Sequence, residues 1–215
     1  MKRYTWKNLT WEIWMIIVAL IFCLPFYILI SVALKPSSDV FTTSPLAFPT
    51  TPDFSNFSQA WAAPAGGGLG PALVSSLIIT VGAVVGLIIF GSLCAYALAR
   101  RPGRLSNALY FLFVLGIIIP FQLSVIPLYV AFRQAGLIGT YLGMILLWIG
   151  IGSPLSVFLY TGFIRSLPKD YEEAARLDGA GIFRIYWFVV FPLLRPITGT
   201  VAILLGLFIW NDFFV

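Results

Sequence analysis

The chain has 215 residues, of which 60% are hydrophobic and 10% are charged, and its net charge is +5. Soluble domains carry about 25% charged residues, so the composition excludes a soluble globular protein and indicates a polytopic membrane protein. The Lys and Arg residues flank apolar segments instead of forming a long basic run, which argues against nucleic-acid binding. Cys23 and Cys94 both lie inside apolar segments, where we expect buried thiols and neither a disulfide nor a metal site.

Five apolar segments are long enough to cross a bilayer, which takes about 20 residues. They are residues 13–34, 72–99, 108–132, 140–164 and 197–215. The predicted fold class is therefore all-α, a polytopic transmembrane helical bundle. The first apolar run is longer than the core of a signal peptide, about 7–15 residues, so we interpret it as a retained helix, kinked at Pro25.

The positions of the basic residues predict the orientation of these spans. If the N-terminus is cytoplasmic, only Lys35 and Arg133 lie outside and all other Lys and Arg residues, including Lys2 and Arg3, lie inside, in agreement with the positive-inside rule. Residues 35–71, the first loop, are then outside. That loop is rich in Pro, Ser, Thr and Gly with scattered aromatic residues, and it either lies on the membrane surface or docks an external protein.

The third span contains Pro120 and Pro127, which predict an irregular helix because proline removes a helix hydrogen bond. Irregular backbone at membrane depth is tolerated where it is buried in protein or lines a cavity. Gln122 is therefore a candidate for a substrate pathway, or it forms a hydrogen bond between helices. Residues 150–154 of the fourth span, which end in Pro154, predict a second kink.

The fifth span ends in Trp210-Asn211-Asp212-Phe213. Asp212 is the one acid well inside an apolar span, roughly 20 Å from its inner boundary at 1.5 Å per residue. An acid within a membrane span is a functional candidate, and we assign Asn211 and Asp212 to a pathway. The alternative is an acid at the outer interface, hydrogen-bonded beside Trp210.

Residues 165–196, the charged loop, hold four of the eight acids of the chain. From Ser166 the sequence reads SLPKDYEEAARLDGAGIFRIYWFVVFPLLRP, which predicts two short helices joined by a turn. Acidic residues at the start of the first helix complement its dipole. Gly179 can adopt the left-handed conformation that ends this helix, and Asp178 is placed to cap the next.

The charged loop resembles the EAA loop of importer-type ABC transporter permeases. The matching residues are Glu173-Ala174-Ala175, Asp178-Gly179-Ala180 and Pro192. Ser166-Leu167-Pro168 and residues 210–213 are similar to the sugar-importer, maltose-transporter-type branch of that class, although Gly181 stands where the branch usually has Ser.

The resemblance implies the permease subunit of an ATP-driven importer in the cell inner membrane, for a sugar or oligosaccharide. Six spans are expected, so residues 1–215 would form one permease domain, truncated at its C-terminus. Implied partners are ATP-binding subunits, a second permease chain, for which the resemblance favours a different chain over a second copy, and an external solute-binding protein. The residues implied to contact the ATPase are Glu172, Glu173, Ala174, Ala175, Asp178, Gly179 and Ala180.

The chain has no phosphate-binding loop motif, so we expect it to be no enzyme and to bind no cofactor, the ATP being bound by the partner ATPase. Two other functions stay open. An ion-coupled secondary transporter needs buried ionisable groups, for which Asp212 is the candidate. A membrane scaffold whose charged loop recruits a soluble protein is the other.

Overall fold

The computed structural model describes residues 6–62 and 68–212. Every regular element in these two ranges is helical, which confirms the all-α prediction. The α-helices are α1 (Trp6–Ala33), α2 (Ser55–Ala62), α3 (Leu69–Arg100), α4 (Arg104–Ile118), α5 (Val125–Gln134), α6 (Tyr141–Ser166), α7 (Asp170–Leu177), α8 (Ile182–Ile185), α9 (Phe191–Leu193) and α10 (Arg195–Trp210). A 3₁₀ turn (Phe121–Ser124) precedes α5, and a π-helical turn (Tyr186–Val190) lies between α8 and α9.

Three described helices, α1, α3 and α6, are long and apolar enough to cross a membrane. Two bent pairs raise the number of candidate spans to as many as five, if each pair is counted as one span. The first joins α4 to residues 121–134 at 98°, and the second joins residues 182–193 to α10 at 72°. These five agree in order with the predicted spans. The basic residues Lys2 and Arg3 and the end of the fifth predicted span, residues 213–215, lie outside the described residues.

The third span is broken at Pro120, as the sequence predicts. Ile119 and Pro120 are both extended, with ψ angles of 121° and 123°. For Ile119 this follows because a residue before proline is disfavoured in the α-helical region. Pro127 causes no second break. It is the third residue of α5. The first N–H groups of a helix have no partner within that helix, so a proline there removes little hydrogen bonding.

The kink predicted at residues 150–154 does not interrupt α6, which continues as one helix through Pro154. Pro154 has no N–H to donate to the carbonyl of Gly150, one turn earlier. The hydroxyl of Ser153 donates to that carbonyl instead, at 2.9 Å. A neighbouring side chain thus satisfies the backbone group that proline leaves unpaired, as in many transmembrane helices. Helix α1 likewise continues through Pro25.

The chain divides into two compact units, residues 1–72 and 73–215. In the second unit, glycines allow α3 and α6 to approach closely. A Cβ atom at Gly86 would overlap the side chain of Ile149, and one at Gly91 would overlap Ser156. The Ser156 hydroxyl donates to the carbonyl of Leu87 at 3.0 Å. Small residues and cross-helix hydrogen bonds of this kind replace the hydrophobic driving force that lipid does not supply.

In the first unit, the chain after α1 folds against the end of that helix. Lys35 is buried, and its ammonium group donates to Thr43 Oγ1 at 2.8 Å and to the carbonyl of Ser44 at 2.6 Å. Asp53 accepts the backbone N–H of Ser55 at 2.9 Å before α2 begins, and this hydrogen bonding lowers the pKa of Asp53. The predicted burial of Cys23 is wrong, because α1 is apolar all round and Cys23 is exposed.

Candidate functional site

The charged loop forms a helical hairpin, as predicted. Helix α7 carries three acids in its first turn, and it ends at Gly179, whose φ is +80°. The N–H of Gly179 donates to the Arg176 carbonyl and that of Ala180 to the Ala175 carbonyl, both at 3.0 Å. This pair of bonds is the Schellman arrangement, in which a left-handed residue satisfies the last carbonyls of a helix.

The residue that caps the second helix of the hairpin differs from the prediction. Gly181 occupies the N-cap position of α8, and no side chain forms a cap hydrogen bond there. Asp178 instead ends α7, where its own N–H donates to the carbonyls of Ala174 and Arg176. Gly179 and Ala180 separate Asp178, which caps the end of α7, from Gly181, which begins α8.

Glu172 is directed into the protein, although the sequence places it with the partner-binding residues. It is 4% exposed. One carboxylate oxygen accepts a hydrogen bond from the Tyr96 hydroxyl at 2.8 Å, and the other forms an ion pair with Arg100 Nε at 2.6 Å. Arg100 also donates to the carbonyl of Leu167 at 3.2 Å. Glu172 therefore attaches α7 to the end of α3.

The other predicted contact residues divide into two groups. Ala175 and Ala180 are half-buried against the hydrophobic core, so they help to seat the hairpin. The remaining four form the exposed face of the hairpin, which we define as Glu173, Ala174, Asp178 and Gly179. Leu177, between them, is 90% exposed. Leu177 was not predicted from the sequence. The signal that could have indicated it is an apolar residue that follows the acids of α7 and does not belong to the apolar face of α8.

The second half of the hairpin is fixed by a buried tyrosine. Tyr186 begins the π-helical turn and shares a hydrogen bond with the Ser92 hydroxyl at 2.6 Å. Its ring lies 5.3 Å from that of Tyr96 and 4.9 Å from that of Trp187, spacings typical of favourable aromatic pairs. π-Helical turns occur mostly as single turns and often at functional sites. No sequence signal that we used indicated this turn.

A cavity of about 920 Å³ lies within the second unit, beside the break at Pro120. Gln122 and Asp212, two of the three predicted pathway residues, both line it, although they are 90 positions apart. Its walls are otherwise mainly apolar and aromatic, and they include Tyr129, Tyr141, Trp148 and Phe208. Asn211, the third predicted pathway residue, is not among the lining residues, and its amide donates to the Leu207 carbonyl at 2.8 Å.

This arrangement can bind a ligand in the cavity and can change conformation at the broken spans. An ion-paired hairpin, an aromatic cavity with a few polar groups and two broken spans are features of transport proteins. Within residues 6–62 and 68–212, no three His, Cys, Asp or Glu side chains are grouped closely enough to hold a metal ion.

Comparison with known proteins agrees with these features. Residues 87–215 match the family described as "Binding-protein-dependent transport system inner membrane component". The chain is 45% identical over 198 residues to the melibiose/raffinose/stachyose import permease protein MelC of Bacillus subtilis (strain 168), covering 92% of this chain and 70% of that protein. It is 37% identical over 198 residues, with the same two shares, to the probable starch degradation products transport system permease protein AmyC of Thermoanaerobacterium thermosulfurigenes.

Among solved structures, the fold is similar to that in the crystal structure of a bacterial ABC transporter involved in the import of the acidic polysaccharide alginate. The TM-score is 0.77 with 24% sequence identity, and the match covers 100% of this chain and 75% of the other. This likeness supports the helical fold. The family match and the relatives show that the chain belongs to the inner-membrane permease family of binding-protein-dependent transport systems, in its sugar ABC importer branch.

Proposed function

We propose that this chain couples ATP hydrolysis by a partner ATPase to the uptake of an oligosaccharide. The observation that carries the proposal is the division of the hairpin into a buried anchor and an exposed face. Glu172 holds α7 on α3, while Glu173, Ala174, Asp178 and Gly179 remain exposed. A helix that is attached to its own protein on one side and exposed on the other can insert into a cleft of a second protein.

In this proposal, the partner ATPase binds the nucleotide. Two ATP-binding subunits close on ATP, push on the hairpins of two permease subunits and switch the pathway between inward- and outward-facing states. The second permease is a different chain, and an external solute-binding protein delivers the sugar. The N-terminus and the charged loop lie in the cytoplasm, as the positive-inside rule requires. This chain holds no cofactor of its own and carries out no covalent chemistry.

The proposed pathway on this subunit is the cavity lined by Gln122 and Asp212. Aromatic side chains and a few amide or carboxylate groups are the elements that orient a polar ligand in a largely apolar pocket. The substrate class follows from the relatives, whose names record the import of melibiose, raffinose and stachyose and of starch degradation products. We therefore propose an oligosaccharide, and melibiose and raffinose are the probes to try first.

The test is co-purification of the ATPase with the full transporter. Gly179→Arg places a bulky cation at a residue that has φ of +80°, and Glu173→Lys reverses a charge on the exposed face. We expect each to reduce the bound ATPase at least tenfold while the permease stays in the membrane. The matched control is Gly103→Arg, which adds the same side chain in the turn before α4, where a Cβ atom meets open space and the backbone is extended.

Two results would contradict the proposal. If the native chain retains no ATPase, or if both loop variants retain it as fully as Gly103→Arg, the charged loop is not the coupling element. Uptake of melibiose or raffinose into vesicles separates the alternatives, because an ion-coupled transporter would respond to a proton or sodium gradient without ATP. A scaffold would retain its soluble partner and show no uptake under either condition.

A further inference from the structure

Three polar side chains lie along one face of α3 near its C-terminal end. Ser92, Tyr96 and Arg100 are spaced four residues apart, which places them in a row on an α-helix. All three are buried or nearly so: Ser92 is 0% exposed, Tyr96 is 6% exposed, and the Arg100 side chain is 10% exposed. We call this row the polar ladder. Buried polar groups at helical spacing need partners, and each member of the ladder has one in the charged loop.

The partners of the polar ladder come from both halves of the hairpin. Arg100 and Tyr96 hold Glu172 of α7 at 2.6 and 2.8 Å. Ser92 holds Tyr186, the first residue of the π-helical turn, at 2.6 Å. The ring of Tyr96 packs on the ring of Tyr186 at 5.3 Å between centroids. The hairpin is thus attached to α3 at two points, one on each side of its turn.

These attachments are directional, whereas apolar packing is not. Hydrogen bonds and ion pairs weaken steeply when their distance or angle changes, while apolar surfaces can slide on one another with little change in buried area. Glu172 cannot leave its site without stranding a buried guanidinium, which is strongly unfavourable. A displacement of α7 is therefore expected to carry the end of α3 with it.

Helix α3 also reaches the cavity. It is one helix from Leu69 to Arg100, and Ile79 lines the cavity wall. Between Ile79 and Arg100, a rise of 1.5 Å per residue gives about 30 Å. Helix α3, as one rigid element, therefore contacts the hairpin at its C-terminal end and lines the proposed pathway along its side.

We propose that Ser92, Tyr96 and Arg100, with Glu172, are positioning residues that transmit the movement of the hairpin to the pathway through α3. This inference rests on the proposed function, since it assigns a role in coupling to residues that the ATPase does not touch. The resemblance to other permeases implies that Glu172 contacts the ATPase, but Glu172 is 4% exposed and bound to Tyr96 and Arg100. We therefore assign contact with the ATPase to the exposed residues of the hairpin. The polar ladder lies behind them, on the opposite side of α7.

The first experiment measures whether the hairpin and α3 move as one body. Nitroxide labels at Phe183→Cys of the hairpin and Val85→Cys of α3, both exposed positions, are placed in a chain in which Cys23 and Cys94 are replaced by Ser. Their separation is measured by pulsed electron resonance in the assembled transporter, without nucleotide and with ATP and vanadate. We expect the separation to change by less than about 2 Å when the polar ladder is intact, since α3 would follow the hairpin.

The second experiment removes the Glu172 attachment of the polar ladder, leaves the hydrogen bond between Ser92 and Tyr186 in place and takes one donor from the Leu167 carbonyl. The variant Tyr96→Phe/Arg100→Met/Glu172→Leu replaces the bonded groups by apolar side chains of similar size, a change that buried ion pairs often tolerate. We expect this variant to keep the ATPase and to hydrolyse ATP, while the melibiose or raffinose taken up per ATP falls at least fivefold. The control is Arg101→Met, an exposed arginine next to Arg100, which should keep the native ratio.

Three results would overturn the inference. One is a label separation that changes by more than about 4 Å in the native chain. Another is a native ratio of uptake to ATP hydrolysis in the apolar variant. The third is loss of the ATPase from that variant, which would show that the polar ladder sets docking and not transmission. A native chain that binds no ATPase would refute the proposed function itself, and this inference with it.

Discussion

Two adjacent glutamates of α7 should differ sharply in what they contribute to stability. Glu172 is 4% exposed and paired with Arg100, whereas Glu173 is exposed. Replacing each by Gln removes one negative charge at almost constant volume. The two variants therefore differ only in whether the lost charge is buried and paired, and each serves as the matched control of the other.

The magnitude follows from the geometry of the pair. At 2.6 Å, Coulomb's law with an effective dielectric constant of about 20 gives roughly 6 kcal/mol of attraction. Desolvation of two buried ions opposes this by several kcal/mol each, so the net contribution of the intact pair is small. Removing one partner is different, because the other stays buried without compensation, at a cost of about 3–5 kcal/mol.

Glu172→Gln should fall at the lower end of that range, about 3 kcal/mol, because the amide oxygen can still accept the Tyr96 hydroxyl. For a chain of this size, 1 kcal/mol corresponds to roughly 2–4 °C in Tm, so we expect a decrease of about 6–12 °C. Glu173→Gln loses only an exposed interaction with the helix dipole, about 0.5 kcal/mol. Its Tm should change by about 1–2 °C.

Thermal unfolding of the detergent-solubilised permease without its ATPase, followed by tryptophan fluorescence, measures these shifts, so that contact of Glu173 with the ATPase does not contribute. Hydrogen exchange of the backbone of α7 should be measured in parallel, since local opening of the hairpin can escape a global signal. Adding Arg100→Met to Glu172→Gln should recover at least half of the lost Tm, because no buried charge then remains. Equal effects of the two glutamate variants on Tm and on exchange would refute the assignment of Glu172 as a buried anchor.

Three further substitutions test other parts of the fold. Gly179→Ala should destabilise the hairpin by about 1–2 kcal/mol, because the φ of +80° at this position strains any residue that has a side chain. The neutral control is Gly181→Ala, at a position where φ is −72° and a Cβ atom meets open space. Hydrogen-exchange protection of α7 is the measurement. Gly91→Leu should abolish the close approach of α3 to Ser156 and lower the yield of folded protein in size-exclusion chromatography at least fivefold. Lys35→Met removes the ammonium group that holds the first loop, and we expect protease to cleave residues 36–54 at least fivefold faster, with unchanged rates contradicting the role of Lys35.

Patterns within a few residues were predictable from the sequence. Hydropathy gave five candidate spans, because a bilayer demands apolar runs of fixed length. The break at Pro120 was predictable because proline acts on its own helix. Gly179 was predictable because helices often end with a left-handed glycine. For Pro120 and Gly179 the physical cause lies within one turn of the residue concerned, and for the spans it lies within one continuous stretch of the chain.

Features set by contacts across the chain were not predictable in this way. Arg100 and Glu172 are 72 positions apart, and nothing local distinguishes Glu172 from Glu173. Helix α6 continues through Pro154, where the hydroxyl of Ser153 donates to the carbonyl of Gly150, a contact that the sequence pattern did not indicate. Gln122 and Asp212 line the same cavity. The sequence indicated only that both are polar residues in apolar spans, and not that they line one cavity.

In the proposed mechanism, the two adjacent glutamates at the start of α7 have different tasks. Adjacent residues of an α-helix point about 100° apart, so neighbouring glutamates can face different partners. Glu172 faces α3 and Glu173 faces outward. If the partner pushed on a helix that lacked the inner contact, the helix would turn or slide, and α3 would stay where it was. The buried charge is therefore as necessary to a coupling helix as the exposed one, even though only the exposed one meets the ATPase in our proposal.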